Sequence, residues 1–160
     1  MLDEGVSARG VFRQHYKTDD LDASLLLLAI MGFLPPDDKR IKATVLAIAD
    51  ELTEDGLVLR YRVEGTDTGF AGEEGTFTIC SFWLVTALAM IGETERARAL
   101  CQKLLSFAGP LQLYAEEIDN TTGEHLGNFP QAFTHLSLIE AVSLLIELEQ
   151  EGEKGFASTA

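Results

Sequence analysis

The sequence predicts an all-α protein built from repeated helical hairpins, and three observations carry that expectation. Three strongly apolar segments begin near Asp22, Thr76 and Pro130, about 54 residues apart, a period that marks stacked helical units. The first two are each followed by a segment that is apolar along one side only, so a surrounded helix alternates with a covering one. A hydrophobic content of 46% in 160 residues is enough to give a single domain a real core.

The elements follow in order. Leu21 to Gly32 is apolar on nearly every side and ends in a glycine suited to a helix C-cap. After Pro35-Pro36, the stretch Asp37 to Glu54 places Ile41, Val45, Ile48 and Leu52 at steps of four, three and four, the mark of a one-faced helix. Leu57 to Val63 is expected to form a short strand, with room for a small β-hairpin. Thr76 to Gly92 repeats the surrounded helix with its terminal glycine. Thr94 to Phe107 repeats the covering one, with Ala97, Leu100, Leu104 and Phe107 on one side and Arg96, Arg98, Gln102 and Lys103 on the other. A third apolar helix runs from Gln131 to about Gln150. No outer partner follows it, and residues 151–160 are expected to form a disordered tail.

Each apolar helix is preceded by an irregular segment, His15 to Leu21, Gly56 to Gly75 and Gly109 to Phe129. Loops as long as the last two are usually functional in a compact domain. If the apolar helices run parallel, all three loops emerge at one rim, and function belongs there.

Charge and composition exclude several classes. Twelve basic against 26 acidic residues give a formal charge of -14, which repels phosphate backbones and anionic headgroups. Neither nucleic acid nor a membrane surface is an expected partner. The apolar runs Leu25 to Leu34 and Ile79 to Ile91 fall short of the ~20 residues needed to cross a bilayer, and no basic region followed by an apolar one opens the chain. Cys80 and Cys101 sit in apolar helical patterns without ligand spacing, as core thiols of a reducing compartment do, so a cytoplasmic location is expected. No cofactor is expected. The three histidines lack metal-ligand spacing, and neither a phosphate-binding glycine loop nor a nucleophile elbow is present.

The segment richest in chemistry is Tyr114 to His135. Glu116-Glu117-Ile118-Asp119 is followed by Gly123-Glu124-His125-Leu126 and then Asn128-Phe129-Pro130-Gln131, which puts paired carboxylates on a glycine-punctuated loop directly before an apolar helix. It resembles the second catalytic segment of glycoside hydrolase family 15, the glucoamylase, glucodextranase and bacterial trehalase group. The resemblance extends from about Gly5 to Glu147. It implies a partial α/α toroid, with five helices here against the six hairpins of the full ring, so that residues 1–160 correspond to the C-terminal half of a catalytic domain. The opening Met1-Leu2-Asp3 lacks a helix start signal and reads as a cut through such a domain, from either an engineered fragment or a truncated reading frame.

The same resemblance assigns roles. Family 15 enzymes invert configuration with one carboxylic acid and one carboxylate base, and Glu116 takes the place of the base. Glu117 would position the loop or bind a sugar hydroxyl; the plain reading makes both exposed loop carboxylates. Arg60-Tyr61 falls where the family places an arginine on the non-reducing-end sugar, a use suited to a guanidinium fork, and a solvated strand arginine is an equal reading. The family's general acid follows a Trp upstream, and nothing in this chain matches it. Glu73 and Glu74 lie at the expected rim; favourable charge before a helix N-terminus explains them better, and Glu74 stands as a candidate substrate-binding residue. Asp19, Asp20 and Asp22 match a family segment at the first rim loop, with helix capping the better account of at least one. Phe82, Trp83 and His135 are assigned to the core, the histidine with a hydrogen-bond partner.

The resemblance therefore implies a fragment of an inverting hydrolase of α-glucosides that carries the base, lacks the acid and is inactive alone. The rival class is a non-catalytic helical repeat that binds a partner on its concave face. Bare apolar flanks on the first and third inner helices point to a homo-oligomer.

Overall fold

The computed structural model describes residues 2, 4–62 and 76–157. A 3-10 turn, Ala23–Leu26, runs directly into α1 (Leu27–Ile30), and α2 is Lys39–Glu51. The strands β1 (Thr53–Glu54) and β2 (Leu57–Val58) follow, then β3 (Thr76–Phe77), α3 (Thr78–Met90) and α4 (Thr94–Ser106). The strands β4 (Glu117–Ile118) and β5 (His125–Leu126) precede the long α5 (Ala132–Ala157).

The helix ends have identifiable causes. The Asp22 carboxylate accepts from the Ser24 N–H at 2.8 Å, and Asp38 accepts from the Arg40 N–H at 2.9 Å, each satisfying an orphan first-turn donor. At the other end of α1, Gly32 takes φ +65°, Phe33 N–H donates to Leu28 C=O and Gly32 N–H donates to Ala29 C=O. Gly92 (φ +91°) closes α3 in the same pattern through Glu93 and Leu88. These are the two terminal glycines expected from the sequence, and they turn the chain in a Schellman motif.

α3 is the hub, packing on α1, α2, α4 and α5. Phe82, Leu84, Val85, Ala87 and Leu88 are all buried, as an all-round apolar helix requires. α2 and α4 cover it, giving the expected inner and outer layers. On this helix the buried Ser81 Oγ accepts from the Val58 N–H at 2.9 Å. Tyr114, buried against Phe82, donates its hydroxyl to Leu104 C=O at 3.1 Å.

Three expectations need correction. α2 stops at Glu51 instead of Glu54, because Asp55 (φ +45°) and Gly56 (φ +76°) form a tight turn that pairs Thr53 with Val58 and Glu54 with Leu57. The strand expected at Leu57 to Val63 is therefore two residues long as described, and Val63 lies outside the described residues. A three-stranded sheet of order β3-β4-β5 joins the start of α3 to the loop that carries Glu116, a small addition to the expected helical fold. Residues 151–157, expected in a disordered tail, continue α5. That helix exposes Phe133, Leu136, Ile139 and Ile146, an apolar stripe with nothing packed on it among the described residues. No described helix is long and apolar enough to cross a membrane.

Candidate active site

The N-terminal ends of the three inner helical segments meet around one cleft of about 340 Å³, at the small end of the about 300–1,000 Å³ usual for small-molecule sites. Asp22 and Ser24 reach it from the first segment, Phe77 and Trp83 from β3 and α3, and Gln131 and Phe133 from the start of α5. Arg60 and Glu116 complete the wall. This is the common rim expected from the loop positions.

Glu116 is fixed at the main chain on both sides. Its N–H donates to Asn128 C=O at 3.0 Å, and its C=O accepts from Thr78 N–H, the first residue of α3, at 2.9 Å. The half-buried side chain extends into the cleft with Oε2 accepting from both the Asn128 backbone N–H (3.2 Å) and Asn128 Nδ2 (2.9 Å). Among the described residues Oε1 has no hydrogen-bond partner. Gly127 makes the close approach possible. Its φ is +74°, and a Cβ added there would lie 3.0 Å from Glu116 Oε2 and 3.1 Å from Glu116 Cβ.

The loop below is held by Asp119, which Oδ1 ties to the N–H groups of Thr121 and Thr122, both at 2.8 Å. Those donors, Thr122 first, hold its carboxyl below the usual carboxylate range. Asp119 is thus a turn former that sets the β4-β5 register. Arg60 is exposed, its guanidinium 5.6 Å from the Tyr61 ring centre and 5.8 Å from that of Phe77. No described carboxylate pairs with it, so its donors are available to a ligand.

The other candidates sort cleanly. Tyr61 does not line the cleft, but it bridges Asp22 and carries the Arg60 guanidinium on its ring. Glu117 pairs with Phe77 and Leu126 in the small sheet and does not line the cleft either. Glu73 and Glu74 lie outside the described residues. Asp22 caps the first helical turn and also lines the cleft, whereas Asp19 and Asp20 line a separate hollow with Glu51 and Arg62. Phe82 is core as expected, but Trp83 is only half-buried and forms part of the cleft wall. His135 is held as expected, with the Tyr114 N–H donating to Nε2 at 3.3 Å and Nδ1 2.7 Å from Gln131 C=O. Cys80 borders the cleft, and burial, reinforced by Asp22, pushes its thiol up to about 12, which leaves it protonated and unreactive. Among the described residues no group of three His, Cys, Asp or Glu side chains could hold a metal ion.

The cleft thus gathers a carboxylate, a guanidinium and aromatic faces at one rim of the helical wall. The sequence profile described as "Glycosyl hydrolases family 15" matches residues 4–143, and the chain belongs to that family. It is 69% identical over 153 residues to a trehalase of Mycolicibacterium smegmatis, covering 96% of this chain and 23% of that protein. It is 44% identical over 137 residues to a trehalase of Thermoplasma acidophilum, covering 85% and 23%. The chain thus spans under a quarter of the length of these curated relatives. A solved wild-type glycosidase superimposes with a TM-score of 0.74 at 23% identity, and a glycosidase variant in complex with glucose with 0.75 at 22%; both cover 89% of this chain and 40% of the other. The fold is that of an α/α-toroid segment.

Proposed function

We propose that this chain forms the base-bearing wall of an inverting α-glucoside hydrolase, with Glu116 as the general base. The observation that carries the reading is the state of the Glu116 carboxylate: Oε2 is held by Asn128, and Oε1 is left for a water in a cleft that also holds Arg60. In the proposed step, water attacks the anomeric carbon, its proton passes to Oε1, and the departing glycosidic oxygen is protonated by a carboxylic acid on the opposite side. Arg60 grips hydroxyls of the sugar through guanidinium donors that no described carboxylate holds. Two carboxyl groups and a water suffice, so no cofactor is required. Trehalose is the first substrate to assay, because the relatives named above are trehalases.

The acid must come from elsewhere. Asp22 shares the cleft, but both its oxygens are engaged, Oδ1 by the Ser24 N–H and Oδ2 by Gln14 Nε2 at 3.4 Å, in capping the first helical turn. Glu74 is better explained by charge at the start of the following helix. We therefore expect the acid to reside in a part of the catalytic domain beyond this segment, and the isolated chain to release no glucose.

The test is Glu116→Gln in the complete enzyme. Two donors from Asn128 require the amide oxygen at the Oε2 position, which turns the amide nitrogen toward the water. The water then meets a donor where it needs an acceptor, and turnover falls by ~10²–10⁴-fold, with KM little changed. Glu117→Gln, off the cleft, does much less. The reverse order of damage would refute the assignment.

A further inference from the structure

We infer that Asn128 is the positioning residue of the Glu116 carboxylate, an inference that rests on the reading of Glu116 as the base. A glutamate ends in a torsion with a broad, nearly two-fold preference, so a carboxylate on a flexible arm samples many orientations. A base works only with a lone pair within hydrogen-bond reach of its water. Something must therefore select one oxygen.

Asn128 does this by holding residue 116 at three points. Its C=O accepts the Glu116 N–H at 3.0 Å, its own N–H donates to Oε2 at 3.2 Å, and Nδ2 donates to the same oxygen at 2.9 Å. Both donors converge on one oxygen of a charged acceptor, where hydrogen bonds are strongest. With Oε2 doubly bound, rotation about the terminal torsion is restrained and Oε1 is left as the oxygen able to take up a water. Gly127 supplies the turn: its positive φ folds the chain back, and its lack of a Cβ keeps the 3.0 Å approach to Oε2 open.

Asn128 has no comparable structural duty. It is exposed, and Glu116 is the only described partner of its side chain. Its replacement opens no cavity and leaves the backbone N–H in place, so its effect should appear in turnover and not in folding.

The experiment compares Asn128→Ala, Asn128→Asp and Glu116→Gln in the complete enzyme with trehalose as substrate. Asn128→Ala removes one of two donors to a charged oxygen, and kcat should fall about ten- to a hundredfold. KM should move by less than about threefold and Tm by less than about 2 °C. Asn128→Asp sets a carboxylate against Oε2 in place of the donor, so its kcat should fall further than that of Asn128→Ala. An Asn128→Ala enzyme within about twofold of wild-type kcat overturns the inference, as does a loss in both variants in which kcat, KM and Tm all collapse together. Glu116→Gln separates the two levels. If it is inactive while Asn128→Ala is normal, the positioning role alone fails; if it is fully active, the base assignment fails and the positioning role with it.

Discussion

Two glycines of one loop allow backbone strain to be separated from contact with Glu116. Gly123 and Gly127 have nearly the same φ, +73° and +74°. An alanine at either costs roughly 1–2 kcal/mol for the left-handed conformation, offset by about 0.4–1 kcal/mol from the stiffer unfolded chain. The surroundings differ. A Cβ at Gly123 meets only the Phe107 ring edge at 3.4 Å, whereas at Gly127 it lies 3.0 Å from Glu116 Oε2 and 3.1 Å from Glu116 Cβ. The Glu116 main chain cannot retreat, being bonded to Thr78 and Asn128, so the carboxylate must swing away by some tenths of an ångström. Misplacement on the scale of 1 Å costs about 10²-fold in rate, so Gly127→Ala should lose about five- to a hundredfold in kcat. Gly123→Ala should keep its kcat within about twofold. Both should lower Tm to a similar extent, since the cost of the left-handed conformation is the same at both positions. Steady-state trehalose hydrolysis and calorimetry on the complete enzyme decide the matter. Equal kcat values for the two variants would refute the claim that Gly127 exists to admit Glu116.

Two further outcomes follow from the surface. The Arg40 guanidinium and backbone N–H hold the Asp38 carboxyl down at about 2; a depressed folded value stabilises above the unfolded value of about 4 and is lost as pH falls toward 2. Urea unfolding of wild type against Asp38→Ala should show a gap at neutral pH that shrinks below about pH 4, and a gap constant down to pH 2 would contradict it. The stripe Phe133, Leu136, Ile139 and Ile146, each 48–66% exposed, holds roughly 1–2 kcal/mol of burial per side chain. Burying it in both copies of a two-fold dimer yields about 8–16 kcal/mol against an association cost of about 4–15 kcal/mol. Light scattering of the isolated chain should therefore show weak, concentration-dependent self-association; a monomer at high micromolar concentration that binds no apolar dye would refute it.

The helices were legible because their signals are local. Asp22 among the capping carboxylates, Gly32 and Gly92 as stops, and the apolar steps of three and four residues along α2 and α4 each act within one or two turns. Where the reading failed, a competing or distant partner decided. The apolar steps of α2 run on to Leu52, but Asp55-Gly56 takes Thr53 and Glu54 into a hairpin. Trp83 read as core because α3 is apolar all round, so its periodicity carries no facing information. Its place on the cleft wall depends on where the start of α5 falls beside it.

The Glu116-Glu117 pair shows how far residue patterns reach into the site. Two adjacent glutamates are indistinguishable by composition, and it was the family resemblance that singled out the first. The fold supplies a physical reason. Pairing of Glu117 with Phe77 and of Ile118 with Thr76 makes this stretch extended, and successive side chains on a strand face opposite sides. One glutamate must turn to the cleft and its neighbour away. Which is which depends on register, and the register is set by Thr76 Oγ1 donating to Ile118 C=O at 2.7 Å and by Thr78 N–H donating to Glu116 C=O. Both bonds join segments about 40 residues apart in the chain, a separation at which no local pattern carries information. The second donor to Oε2 was missed for the same reason: Gly127-Asn128 reads as a plain turn until the loop folds back twelve residues onto Glu116.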